Sequence, residues 1–363
     1  MEDKRLAIKQ DEISAAVSLL KQGKLVAMPT ETVYGLAADA KNPVAVKRLY
    51  DVKGRPGNHP VIVHLPSSNQ LAGWARDIPE VAWCLAEAFW PGPMTLILKK
   101  KPDVSDAITG AQDTVGLRVP AHPMAQALLN AYGSALVAPS ANRFGHVSPT
   151  TAAHVREDLG QDVSLVLDGG ECPVGVESTI IDCSQVYSDD QGDIHGKPRG
   201  NIRVLRPGML LPAEIQAVLV RAGYPDILLK DAFQETTSEI RVSGSLKSHY
   251  APTTPLRLYP FGELRNVWQA IGQKEAKNGK LAVLSFEARP DDFRAENGVW
   301  LKASADASQY ARTLYANLRA LDKPGASAIL VELPQTHHKE RGHEDWRAVL
   351  DRLQRASVPR EQC

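Results

Sequence analysis

Short apolar runs recur along this chain at spacings that point to an α/β fold. LVAMPT (25–30), PVIVHL (60–65), MTLILKK (94–100), TVGLRVP (114–120) and ALVAPS (135–140) are each too brief for a helix. Between them lie segments with apolar residues three and four apart. The first runs from Asp11 to Lys21, with Ile13, Ala16, Val17 and Leu20 on one face and Gly23 as its stop. Others fall around Val44–Val52, 79–89 and 123–131. Further strands are expected in SLVLDGG (164–170), STIIDCS (178–184) and IRVLRPG (202–208), with a helix at 212–222. The alternation predicts a mixed sheet covered by helices.

Residues 224–254 lose the periodicity and read as a linker; SQVYSDDQGDIHGKPRGN, within 184–201, reads as an exposed loop. A second α/β pattern follows: LRLYP, a helix near 263–275, LAVLSF (281–286), a helix with Tyr310, Leu314, Leu318 and Leu321 on one face, SAILVEL (327–333) and the closing helix WRAVLDRLQRAS. The expected organisation of the 363 residues is a first domain over 1–223, a linker over 224–254 and a small three-layer domain over 255–363.

Lys plus Arg and Asp plus Glu each number 42, so there is no global surplus of cations to displace counterions from a nucleic acid. Cys84, Cys172, Cys183 and Cys363 form neither a C-x-x-C pair nor a zinc-ligand spacing, and read as reduced structural thiols. The first dozen residues are charged throughout and no apolar run approaches the ~20 residues of a membrane span, so a cytoplasmic protein with no membrane partner is expected.

Nucleotide-binding motifs of the common kinds are missing. No G-x-x-x-x-G-K-[ST] occurs, no G-x-G-x-x-G follows a strand, and G-x-S-x-G is absent. Polar groups gather instead where strands end. The run 25–28 passes into PTETVYGLAADA (29–40), read as an unusually polar entry to a helix carrying Thr30, Glu31, Thr32 and Tyr34. An ordinary Thr cap is the plainer reading of that stretch. Lys53 and Arg55 flank a glycine before a Pro-rich turn, which serves either a ligand or a solvated helix end. His64 lies mid-strand among apolar neighbours. Arg118, within VGLRVP, has no acid in its own strand and must find a partner in a ligand carboxylate or a distant Asp or Glu. Ser140, Asn142 and Ser148, the last before a helix start, are joined by Ser178, Thr179 and Arg206. Together they describe a pocket for phosphate and carboxylate oxygens.

In combination, PTETVYGL, K-G-R-P with PVIVH, FWPGPMTLIL, GLRVP, PSAN with S-P-T-T, and VGVESTIID before LRPG resemble the YrdC-like family over about residues 10–210. With an H-Y-A-P linker element and a second domain ending A-x-x-D-R-L, the chain is similar to the long, two-domain threonylcarbamoyl-AMP synthases. The resemblance implies a twisted mixed sheet and helices around a basic concave pocket, with a small Rossmann-like C-terminal domain. It implies that L-threonine, bicarbonate and ATP give threonylcarbamoyl-AMP and pyrophosphate for tRNA modification, with magnesium accompanying ATP. The implied partners are a downstream tRNA threonylcarbamoyl transferase and tRNA itself.

Carried over by motif, Lys53 and Arg55 are the implied catalytic and triphosphate-binding cations. His59, Thr114, Ser140, Asn142, Ser148, Arg206 and Tyr250 complete the implied nucleotide site, and Thr32, His64, Arg118, Ala138 and Ser178 the threonine site, with Tyr34 in its wall. His59 replaces the family's usual Asn, SGSLKSHYAP matches the usual linker only at Lys247, His249 and Tyr250, and the loop 184–201 is longer than usual. The donors in 243–252 suggest a lid, against a spacer whose His249 and Tyr250 dock on the second domain.

Three rival readings have features of their own. An RNA-binding module is argued against by the zero net charge and by the absence from this sequence of an aromatic array that stacks bases. A carbamoyl-transfer unit of hydrogenase maturation would carry acylphosphatase and zinc-finger segments ahead of this domain. Metal-dependent hydrolysis rests on HHKERGHE (337–344), whose His337, His338, His343 and Glu344 lack helical ligand spacing.

Overall fold

The computed structural model describes residues 2–186, 200–231, 240–275, 280–294, 296, 298–322, 325–335 and 342–359. Most of the loop 184–201 and residues 337–341 of the histidine-rich stretch lie outside them. The chain forms two units: one holds residues 1–144, 149–173 and 177–245; the other holds 145–148, 174–176 and 246–363.

In the first unit, α1 (Glu2–Lys21) leads into β1 (Val26–Met28), and β2 (Gly35–Asp39) returns antiparallel to it with Met28 opposite Gly35. PTETVY is therefore the connection of a strand pair, and the expected entry to a helix is corrected. GLAAD shows no alternation because β2 is buried along nearly its whole length. Gly35 is needed for close approach: a Cβ there would sit 3.1 Å from the Ala138 Cβ.

Next comes α2 (Pro43–Lys53), started by Asn42, whose Oδ1 accepts the N–H groups of Val44 and Ala45, with Pro at the first position. It stops at Gly54, left-handed at φ 62°, whose N–H bonds back to Asp51 and Tyr50. That stop places Lys53 and Arg55 on either side of a tight turn. The elements β3 (Val63–His64), α3 (Glu80–Phe89), β4 (Met94–Lys99), α4 (Asp106–Thr109), β5 (Thr114–Arg118), α5 (Pro123–Tyr132) and β6 (Leu136–Val137) follow. Then α6 (Ala152–Leu159), capped by Thr151, leads to β7 (Leu165–Val166), β8 (Thr179–Asp182), β9 (Asn201–Arg206), α7 (Pro212–Arg221) and β10 (Leu228–Asp231).

The strands make one mixed sheet in the order β10-β9-β8-β4-β5-β3-β6-β2-β1-β7. One core includes Leu36, Val63, Leu96, Leu117 and Ile181, and another joins Ile13 and Leu20 of α1 to Met28, Met124 and Leu128. Among neighbours, β3, β5 and β9 run opposite to β4 and β8. The last residues of the first three therefore share one edge with the first residues of the other two. That edge carries His64, Arg118, Arg206, Thr95 and Ser178.

In the second unit, β11 (Leu256–Tyr259), α8 (Leu264–Glu275), β12 (Lys280–Ser285), β13 (Gly298–Lys302), α9 (Ala307–Leu321), β14 (Ala326–Glu332) and α10 (Gly342–Ser357) form a parallel sheet ordered β11-β14-β12-β13 with its helices. Leu264, Trp268, Leu281, Val283, Phe293 and Leu330 fill its core. Residues 246–250 belong here: Arg355 donates to the Leu246 carbonyl, and Tyr250 is buried against Tyr315 with the Arg352 guanidinium over its ring.

Candidate active site

At the edge where β3 and β5 end, Arg118 is almost fully buried and reaches back to the turn after β1. Its Nη2 donates to Glu31 Oε1 at 2.6 Å, its Nη1 to Thr32 Oγ1 at 2.9 Å and its Nε to the Gly92 carbonyl at 3.3 Å. Glu31 Oε2 accepts the Ala121 N–H at 3.0 Å. The strand without an acid thus finds its partner 87 residues away in the chain.

The hydroxyls beside this ion pair have a fixed polarity. Thr30 Oγ1 donates its single proton to the Val33 carbonyl at 2.6 Å, so the proton in its 2.9 Å contact with Thr32 comes from Thr32. Thr32 therefore accepts from Arg118, and any further bond it makes is again as acceptor. Below it, Tyr34 donates to the Gly170 carbonyl at 2.8 Å and accepts the Gly169 N–H at 3.1 Å.

His64 pairs in register with Arg118 across β3 and β5. Burial, and then the guanidinium beside it, push its pKa down to about 3, so the imidazole is neutral at physiological pH. Its Nδ1 lies 3.3 Å from the Ile62 carbonyl, the geometry of a protonated Nδ1.

Across β4, Ser178 Oγ lies 2.8 Å from Thr95 Oγ1 and accepts from Arg206 Nη2 at 3.1 Å. Arg206 also donates to the Ser178 carbonyl from Nε and Nη2, and from Nη1 to the Ser243 carbonyl. Ser178 and Arg206, assigned to different substrates by resemblance, are thus in direct contact.

A second cluster forms where α2 ends. Lys53 is buried and donates from Nζ to the carbonyls of Ser140 and Asn142, both at 2.5 Å. Desolvation, then the Arg55 charge, hold its pKa well below the ordinary lysine value. Arg55 donates to the carbonyls of His59 and Pro60 and lies 5.3 Å from the Phe144 ring centroid. Burial and Arg55 likewise lower the His59 pKa. The 138–142 segment is stitched to its surroundings: Ala138 N–H donates to Ile62, Leu36 to Pro139 and Ala141 to Tyr34, while Gly35 bridges Ser140.

Thr114, Gly116 and Arg118 share one face of β5. Thr114 and Gly116 line a cavity of about 20 Å³ with Ile62, Ile180 and Ser243. Over it, Gln112 exchanges two hydrogen bonds with the backbone of Arg241, and Val242 packs on Ile97, Ile180 and Leu205. Ser148 and Tyr250 fall in the second unit, and both are buried.

The sequence named Glu31 among the polar groups of its turn but gave it no role, and Thr95 did not stand out. Glu31 carried one usable signal, an acid in the same polar turn as Thr32. Thr95 carried none, because a threonine in an apolar strand is ordinary. Among the described residues no group of three or more His, Cys, Asp or Glu is placed to hold a metal, and no helix is long and apolar enough to cross a membrane.

An α/β protein with buried cations gathered at strand and helix ends is the class this geometry defines. Two family models match the chain. Sua5_yciO_yrdC, described as Telomere recombination, covers residues 18–191, and Sua5_C, the C-terminal domain of threonylcarbamoyl-AMP synthase, covers residues 211–358. The chain is 36% identical over 357 residues to the threonylcarbamoyl-AMP synthase of Pyrococcus abyssi, spanning 97% of this chain and 96% of that one. The Bacillus subtilis counterpart is 36% identical over 328 residues, covering 90% and 89%. The solved structure of P. abyssi Sua5 complexed with L-threonine superposes with a TM-score of 0.78 at 35% identity, covering 95% of this chain and 94% of that one. This chain belongs to the threonylcarbamoyl-AMP synthases.

Proposed function

We propose that the chain condenses L-threonine, bicarbonate and ATP to threonylcarbamoyl-AMP and pyrophosphate, in the cytoplasm, for transfer to a tRNA adenosine by a separate transferase. The observation that carries this reading is the buried Arg118, whose guanidinium is held beside Thr32 and in register with a neutral His64. A carboxylate with a hydroxyl-bearing side chain suits these groups: the arginine takes the carboxylate, and Thr32 accepts from the ligand's O–H or N–H. Ser178 and Ala138 complete the threonine side.

In the reaction, the threonine amine and bicarbonate form a carbamate and release water. A carbamate oxygen then attacks the α-phosphorus, the bond to the β-phosphate oxygen breaks, and pyrophosphate leaves. The protein's task is to align the two substrates and to place positive charge where the phosphates gain negative charge. We assign that charge to Lys53, Arg55 and Arg206, with His59, Thr114, Ser140 and Asn142 around the nucleotide. Magnesium, carried by the triphosphate, would add positive charge where the phosphates gain negative charge.

Pyrophosphate release measured with a panel of amino acids, with and without bicarbonate, tests the proposal. Release should require both L-threonine and bicarbonate; equal release without threonine contradicts it.

A further inference from the structure

Glu31 has no part in the chemistry above, yet both its oxygens are committed. One accepts from Arg118 Nη2 at 2.6 Å and the other from the Ala121 N–H at 3.0 Å, and its side chain is 8% exposed. It therefore grips both ends of the Arg118–Ala121 segment. The guanidinium has five N–H groups. Glu31, Thr32 and Gly92 occupy one each, on Nη2, Nη1 and Nε. One N–H remains on each terminal nitrogen, and such a pair can be accepted by a single carboxylate in two bonds.

A carboxylate standing in for the substrate would take both terminal nitrogens itself. Glu31 takes one, and ties its other oxygen to the backbone. We infer that Glu31 is a positioning residue for threonine recognition: it fixes the Arg118 guanidinium in the orientation that offers both remaining N–H groups to the amino acid's carboxylate. This rests on the threonine site proposed above.

Two effects of removing Glu31 oppose each other. Loss of a negative charge strengthens the pull of Arg118 on any anion, whereas loss of the clamp frees a long side chain that must be reordered for each binding event. With the arginine's direction set by three contacts, loss of aim outweighs the gain in charge. A glutamine side chain has one acceptor oxygen where Glu31 uses two, so the Glu31→Gln variant breaks one grip.

The experiment titrates L-threonine and L-threoninol, which lacks the carboxylate, into the full chain and its Glu31→Gln and Arg118→Ala variants. Glu31→Gln should raise the Kd for L-threonine about tenfold and leave that for L-threoninol unchanged, so that preference for the carboxylate shrinks about tenfold; the KM for ATP should stay within about twofold. If Glu31→Gln does not melt as a folded protein, Glu31→Asp decides, since it keeps the charge but is too short to span both contacts, and the same loss of preference is expected. Unchanged or tighter threonine binding in these variants, with Arg118→Ala weakened about tenfold or more, overturns the inference. Unchanged threonine binding in Arg118→Ala overturns the threonine site itself.

Discussion

Arg118 and Lys53 are both buried cations of the same unit, yet one is held by a carboxylate and the other by two carbonyl oxygens. The carboxylate cancels the charge of Arg118 and fixes its direction. Carbonyl dipoles solvate the lysine but leave the charge in place, and burial then disfavours it, as its lowered pKa records. A pre-neutralised arginine suits a zwitterionic amino acid, which brings no net charge. A buried ammonium held by carbonyl dipoles suits a polyanion. The same fold thus prepares two cations for ligands of different net charge by choosing what hydrogen-bonds to them.

The largest effect expected from breaking the contrast is at Lys53. Lys53→Met keeps the unbranched stem, one atom shorter, but removes the charge and the donor shared by Ser140 and Asn142. The kcat/KM for ATP should fall about 10²–10³-fold, the usual loss for a positioned electrostatic contact, in a steady-state pyrophosphate assay. A loss of threefold or less would reduce Lys53 to a loop fastener.

His64 sharpens the arginine side through pH. Its folded-state pKa is about 3, against an unfolded value near 6.5, so the unfolded chain takes up the proton first as pH falls. Its contribution to stability is present above about pH 6.5 and is lost progressively toward about pH 3. Between pH 7 and pH 5 it should cost about 2 kcal/mol, read from urea unfolding at the two pH values. His64→Gln should remove about that much of the acid sensitivity; an unchanged pH dependence would mean the imidazole is not held neutral.

The smallest effect expected is at Thr32. Thr32→Val keeps the shape but cuts the chain of hydroxyls from Arg118 to Thr30, and should weaken L-threonine by about five- to tenfold, near 1 kcal/mol. An effect on ATP of the same size would show that the turn after β1 serves both ligands.

The strand–helix alternation that sets the α/β class was legible because most elements keep one buried face. LRLYP, LAVLSF and SAILVEL appear as β11, β12 and β14, and the helix with Tyr310 and Leu314 as α9. β2 was not legible: GLAAD is small and buried on both sides, so it neither alternates nor shows helical periodicity. β10 lay hidden in the segment read as linker, since Leu228–Asp231 is an edge strand that is mostly exposed. In the site, residue types at strand ends marked the groups, but pairing did not follow from spacing. Nothing local joins Glu31 to Arg118 or Lys53 to the Ser140 carbonyl; the sheet order and the stop of α2 at Gly54 do that.

Calorimetric titration of each ligand separately into Arg118→Ala and Lys53→Met decides whether the acid-paired cation serves threonine and the carbonyl-held cation serves ATP. A crossed pattern is expected. Arg118→Ala should lose about tenfold or more for L-threonine and little for ATP, and Lys53→Met the reverse, since a charge-assisted hydrogen bond is worth about 1.5–3 kcal/mol to the ligand that makes it. Equal losses for both ligands in both variants would contradict it.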